Sequence, residues 1–125
     1  PLVPTDPMAA FAYRQVLSYG QTEIEAYLWI INQATTLKAI YSWPEGTVAE
    51  AKSRVIKAIV QYDQWISSRD YIAGNEFSLA DIYAYHLLSW AYNDGFELCD
   101  TTLAYLQKLS LRPAFPTKLA LKQPV

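Results

Sequence analysis

Few side chains in this sequence combine the types and spacings that chemistry requires. The 125-residue chain holds one cysteine, Cys99, and one histidine, His86. One Cys and one His cannot supply a zinc ligand set, so no metal centre is expected. Cys99 is poorly placed as a nucleophile, because Asp94, Glu97 and Asp100 lie close in sequence and neighbouring negative charge disfavours the attacking thiolate. His86 has no acidic or nucleophilic sequence neighbour to serve as a general base, and reads as a hydrogen-bonded core histidine. Ser78 and Asp81 are a hydroxyl and a carboxylate three residues apart. That spacing is the reciprocal capping box of a helix start, with Asp where Glu or Gln is usual. Both are read as folding residues, and no catalytic residue is expected in the chain.

The segment around that box, YIAGNEFSLADIYA from Tyr71 to Ala84, is the most informative in the chain. Gly74 and Asn75 supply a turn that tolerates positive φ. Phe77 precedes the cap and can pack on Ile82 as a hydrophobic staple. Loss of the Ser78 side chain is expected to cost about 1 kcal/mol.

The composition narrows the setting in which these residues work. A 52% hydrophobic, 18% charged chain of net charge −2 is a packed globule, not a disordered segment or a nucleic-acid or anionic-membrane surface. Its length fits one domain, 1–125, with Pro1-Leu2-Val3-Pro4 and Thr5 read as an extended linker. The start without Met raises the expectation that something precedes it. The longest nearly apolar stretch, Ile82 to Tyr92, is too short to cross a bilayer, and no signal-peptide pattern occurs. A lone cysteine excludes an intrachain disulfide and fits a reducing compartment, so a cytoplasmic location is expected.

Apolar periodicity then predicts the elements. From Asp6, an N-cap followed by Pro7, to about Tyr41 apolar residues recur at helical spacing, with Gly20 as a kink. Trp43-Pro44-Glu45-Gly46 breaks the chain, and Thr47 with Glu50 reads as a second capping box opening a helix to about Ser67. Its inner stripe is Val48, Ala51, Val55, Ile59, Tyr62 and Ile66, which makes it amphipathic and peripheral. The helix from Leu79 to about Tyr92 leaves almost no polar face and belongs at the centre. Asp100 or Thr101 can cap a short helix with Leu103, Leu106 and Leu109 inside, and Pro113 can open another that holds Phe115 and Leu119. No alternating strand pattern occurs. The fold class is all-α, a bundle of five or six helices around a buried central one.

This order resembles the C-terminal domain of the cytosolic glutathione transferases. The resemblance covers nearly the whole chain and rests on Asp6-Pro7, LSYGQTEIEAYL at Leu17 to Leu28, YIAGNEFSLADIY at Tyr71 to Tyr83, LSWAY at Leu88 to Tyr92 and LQKLSLRPAF at Leu106 to Phe115. The TEIEAYL and LSWAY segments resemble the bacterial beta class most. In that family an N-terminal thioredoxin-like domain, which this sequence does not contain, holds glutathione and carries the activating Ser, Tyr or Cys. The helical domain supplies a hydrophobic wall for the second substrate. The implied chemistry is attack of a glutathione thiolate on an electrophile. The resemblance therefore implies glutathione as co-substrate, bound mainly by that absent domain, a homodimer when complete, and an isolated chain without activity.

The first-helix residues Gln21, Glu25, Leu28 and Asn32 share one face at helical spacing, in the part that resembles the border of the active-site cleft. They are the expected substrate-binding residues together with Trp90, which matches a tryptophan near the active site in beta-class relatives. Glu25 stands where those relatives carry a His, and Ala26 where they carry a Lys. Core packing is the alternative for Trp90, and a solvated glutamate the alternative for Glu25. Trp29 and Tyr41 are candidate dimer contacts. A different class of function stays open, because the same helical domain resembles non-catalytic interaction modules appended to translation factors and aminoacyl-tRNA synthetases. A third possibility is a ligand binder that does not depend on glutathione.

Overall fold

A computed structural model describes residues 1–113 and 115. Among these residues the chain forms α1 (Pro7–Tyr19), a π turn (Gly20–Glu25), α2 (Ala26–Ala34), α3 (Thr47–Ser68), α4 (Leu79–Asn93) and α5 (Asp100–Ser110), with no strand. The all-helical expectation holds. The short helix expected after Pro113, with Leu119, lies outside the described residues.

The first long helix starts as its sequence requires. Asp6 accepts from the Ala9 N–H at 3.1 Å with Pro7 at the first position, so the cap satisfies one donor and the proline removes another. The kink expected at Gly20 takes the form of the π turn, in which the Ala26 N–H bonds the Gln21 carbonyl five residues back. The missing side chain matters here because α3 and α4 press against the turn. A Cβ on Gly20 would lie 2.2 Å from Tyr62 Oη. That hydroxyl donates to the Val16 carbonyl at 3.0 Å, meeting a backbone group within the core. The helix ends at Ala34 and not near Tyr41. Thr35 turns its hydroxyl onto the Ile31 carbonyl at 2.6 Å, and this side-chain bond competes with the helical ladder.

α3 buries Ala51, Val55, Ala58, Ile59, Tyr62 and Ile66, the stripe expected except for half-buried Val48. Its start differs from expectation. Gly46 caps it at φ 90° without a side-chain bond, a left-handed conformation that glycine tolerates. Glu50 instead pairs with Arg54 at 3.2 Å, so the Thr47–Glu50 box does not form. The α5 cap is also displaced by one residue, to Cys99, with no side-chain cap bond.

The α4 start matches its sequence and reaches further. The reciprocal box is present, with the Ser78 N–H donating to Asp81 Oδ2 at 2.9 Å and the Ala80 N–H to Ser78 Oγ at 3.2 Å. Fully buried Asp81 also accepts from the Ile72 N–H at 3.0 Å and from Tyr105 Oη at 2.5 Å. One carboxylate thus ties the helix start to the preceding loop and to α5. Phe77 stacks edge-on with Tyr71 and Phe115, while Ile82 is half-buried and stands outside the core cluster. The N-terminal segment joins the same corner, as the Leu79 N–H donates to the Leu2 carbonyl at 2.8 Å.

α4 is central but not enclosed. Ala80, Asp81, Ala84, Tyr85, Leu87, Leu88, Ser89 and Ala91 are buried. Leu79, His86 and Asn93 are exposed, and Tyr83 and Trp90 half-buried. These five recur at spacings of four, three, four and three, so they form one stripe along the helix. The expectation of a helix buried all round is corrected by that open stripe.

Candidate functional site

The open stripe of α4 meets the π turn and α2, and the contact gathers the chemically capable residues. Gly20 comes first in the chain of causes. Without a Cβ it lets the Tyr83 ring lie against the π turn, where a side chain would approach Tyr83 Cε2 to 2.8 Å. From there Tyr83 Oη donates a short hydrogen bond to Glu25 Oε1. Burial, then this bond and the charge of Glu25, push the Tyr83 phenol well above its ordinary value. Tyr83 is therefore a neutral hydroxyl held against a carboxylate, and neither an acid nor a nucleophile at neutral pH.

One turn further on, Trp29 of α2 meets Trp90 edge to face, with ring centroids 5.0 Å apart at 82°. His86 lies beside Trp90, with ring centroids 5.9 Å apart. His86 is exposed, which corrects the core reading. Trp29 is 46% exposed, so the paired indoles offer an accessible aromatic surface beside a polar anchor.

The residues expected to bind substrate divide accordingly. Glu25 and Trp90 are brought to this face, each through a partner on the other helix. Gln21 is exposed and Asn32 half-buried. Leu28 has no solvent-exposed surface and belongs to the core, so it cannot line an open cleft in this conformation. The reason is that Leu28 stands four residues after buried Ile24 and three before buried Ile31, on the core stripe of the helix, while the π turn shifts the phase of Gln21 relative to the three residues after it. Sequence reasoning missed Tyr83 as a partner of Glu25, 58 residues away. It also placed Trp29 in a dimer contact. The available signal was the spacing of Tyr83, His86 and Trp90, which puts three large polar-tipped rings on one helix face.

Other expected capping residues sit where described above: Ser78 and Asp81 in the box, Phe77 among aromatic rings, Ile82 beside the open stripe. Cys99 is exposed and its thiol donates to Thr102 Oγ1 at 3.3 Å. Among the described residues no group of three or more His, Cys, Asp or Glu could hold a metal, and no helix is long and apolar enough to cross a membrane.

Comparisons with known proteins bear on this arrangement. The family model for the glutathione S-transferase C-terminal domain matches residues 18–110. A glutathione S-transferase structure from Pseudomonas fluorescens is 22% identical with a TM-score of 0.78, over 95% of this chain and 60% of that one. One from Xanthobacter autotrophicus is 18% identical with a TM-score of 0.78, over 99% and 60% respectively. A class Gtt2 enzyme of Vibrio parahaemolyticus is 19% identical with a TM-score of 0.77, over 93% and 55%. The chain thus spans 55 to 60% of the length of these three structures. At such identities the likeness concerns the fold, and it does not single out the beta class. No curated protein sequence gives a match.

Proposed function

The chain belongs to the glutathione S-transferase C-terminal domain family, and on that premise we propose that it is the second-substrate half of a glutathione-conjugating enzyme. A thioredoxin-like N-terminal domain would hold glutathione, the co-substrate, and generate its thiolate. This chain would present the wall against which a hydrophobic electrophile rests. The whole protein would act as a cytoplasmic homodimer in the detoxification of such electrophiles, and the domain of residues 1–125 would be inactive alone. Nothing favours the translation-factor or synthetase type of module.

The observation that carries this reading is the open stripe of α4. A central helix with eight buried residues leaves one aromatic face accessible beside the π turn, and such a face is where a second domain and a substrate can meet it. Trp29 and Trp90 would bind the apolar body of the electrophile. The Tyr83–Glu25 pair would orient its polar group. Because Glu25 is acidic, electrophiles with a donor or a positive charge beside the reacting carbon would be favoured over anionic ones.

The test joins this chain to the part of the Pseudomonas fluorescens glutathione S-transferase that it does not cover and measures glutathione binding and conjugation of an aryl chloride. Activity is expected in the joined protein and not in this chain alone. Trp90→Leu should raise KM for the aryl chloride about tenfold with KM for glutathione unchanged. A joined protein that melts cooperatively and binds glutathione, yet conjugates nothing, would refute the proposal. So would equal activity of Trp90→Leu and its parent.

A further inference from the structure

We propose that a second cleft, between the outer face of α3 and the 94–99 loop, binds a small hydrophobic cation. The cleft has a volume of about 570 Å³, within the range of sites that hold small ligands. It shares no residue with the α4 stripe. Its apolar wall interrupts an otherwise polar helix face. Ile56 and Val60, four residues apart, are 59% and 51% exposed, whereas the other exposed residues of α3 are Ala49 and the polar Glu50, Lys52, Arg54, Lys57, Gln64, Ser67 and Ser68. Phe96 and Leu98 line the same cleft. Two β-branched side chains in water beside two nearly buried apolar ones make a surface that gains from being covered.

The wall is preformed. Gly95 adopts φ 99°, a left-handed turn suited to glycine. The Gly95 N–H donates to the Tyr92 carbonyl at 3.1 Å and the Phe96 N–H to the Ala91 carbonyl at 3.0 Å. The loop is therefore bonded back onto the end of α4. On the floor, half-buried Asp63 accepts from Thr102 Oγ1, whose hydroxyl in turn accepts from the Cys99 thiol. This relay fixes the carboxylate in place.

Charge selects the class of ligand. Asp63, Asp94 and Glu97 line the cleft against a single ammonium, Lys52, so the lining carries an excess of negative charge. A carboxylate- or phosphate-bearing ligand would meet three like charges. A cation whose charge is spread over an apolar body would meet complementary charge at low desolvation cost. A quaternary ammonium or phosphonium compound fits both requirements. A primary ammonium, strongly hydrated, fits only the first.

Tetraphenylphosphonium and tetraphenylborate share a shape and differ in sign of charge, and each can be titrated into the full 125-residue chain while amide ¹H–¹⁵N spectra are recorded. Saturable shifts of Ile56, Val60, Phe96, Leu98 and Cys99 are expected with the phosphonium, and affinity at least about tenfold lower for the borate. Glu97→Gln should weaken phosphonium binding about threefold and Ile56→Ser about tenfold, and both substitutions are at exposed positions. The bound phosphonium should also slow alkylation of Cys99. Equal binding of the two ions, shifts centred on Trp29 and Trp90, or unchanged affinity in both variants would each overturn the proposal.

Discussion

Gly20→Ala separates the geometry of the π turn from ordinary helix propensity, because the two give opposite signs. In an exposed helix the exchange would stabilise by about 1 kcal/mol. Here the new methyl would sit 2.2 Å from Tyr62 Oη, 2.8 Å from Tyr83 Cε2 and 3.0 Å from Leu87 Cδ1, all well inside contact distance. Three neighbours on two helices must move, and overpacking of this kind costs about 1–3 kcal/mol. Displacing Tyr62 also breaks its bond to the Val16 carbonyl, which keeps its helical bond from the Gly20 N–H, at a further cost of about 1 kcal/mol. Offsetting the propensity gain leaves a net loss of about 2 kcal/mol. With a urea slope of about 1.5 kcal/mol per molar, the midpoint should fall by about 1.3 M. Tyr62→Phe removes the closest clashing atom, so Gly20→Ala in that background should cost at least about 1 kcal/mol less. A Gly20→Ala protein as stable as its parent would show that the helices are not pressed against the turn.

Ser78→Ala should cost about 1 kcal/mol but Asp81→Ala about 4 kcal/mol, since only the latter strands the Ser78 and Ile72 amides and the Tyr105 hydroxyl together; equal losses in denaturant melts would contradict the shared anchor. Alkaline stability should follow the buried phenols. Burial raises Tyr62 and Tyr105 above the ordinary value of 10.0, so the folded state holds their protons more tightly than the unfolded chain. Their contribution is complete below about pH 10 and falls by up to about 2.7 kcal/mol per pH unit above it. A flat stability profile to pH 11 would refute this, and Tyr62→Phe should lower the slope by up to about 1.4 kcal/mol per pH unit. A double-mutant cycle of Trp29→Leu and Trp90→Leu should give a coupling of about 1 kcal/mol, and strict additivity would argue against the edge-to-face pair.

The features readable in advance were those written within a few residues. Asp6 with Pro7, and Ser78 with Asp81, are local devices, and both stand where their spacing put them. Local rules failed where a second device competed. Thr47 and Glu50 have box spacing, yet Gly46 starts the helix and Arg54 takes the Glu50 carboxylate. Periodicity ran on to Tyr41 because it does not register that the Thr35 hydroxyl can capture a carbonyl. The candidate site was half visible: Glu25 and Trp90 could be singled out, but their partners Tyr83 and Trp29 lie more than 55 residues away in sequence. Leu28 was misplaced because it also falls on the stripe of Ile24 and Ile31, which the core takes. His86 was misread because an all-round apolar helix does not announce which side its neighbours leave bare.

The π turn also fixes where the chain can change length. The i→i+5 turn holds one residue more than the α-helical turn it replaces, so deleting one position between Gly20 and Glu25 would let the stretch close as regular helix with Ala26–Ala34 still in phase, whereas inserting one would swing that helix by about 100°. After an insertion Leu28 and Ile31 would rotate out of the interior, and Trp29 would lose its register with Trp90. The 35–46 connection carries no such phase and can lengthen or shorten with little effect on the bundle. Tolerance to insertion should therefore differ steeply between these two stretches, although both lie between the same pair of long helices.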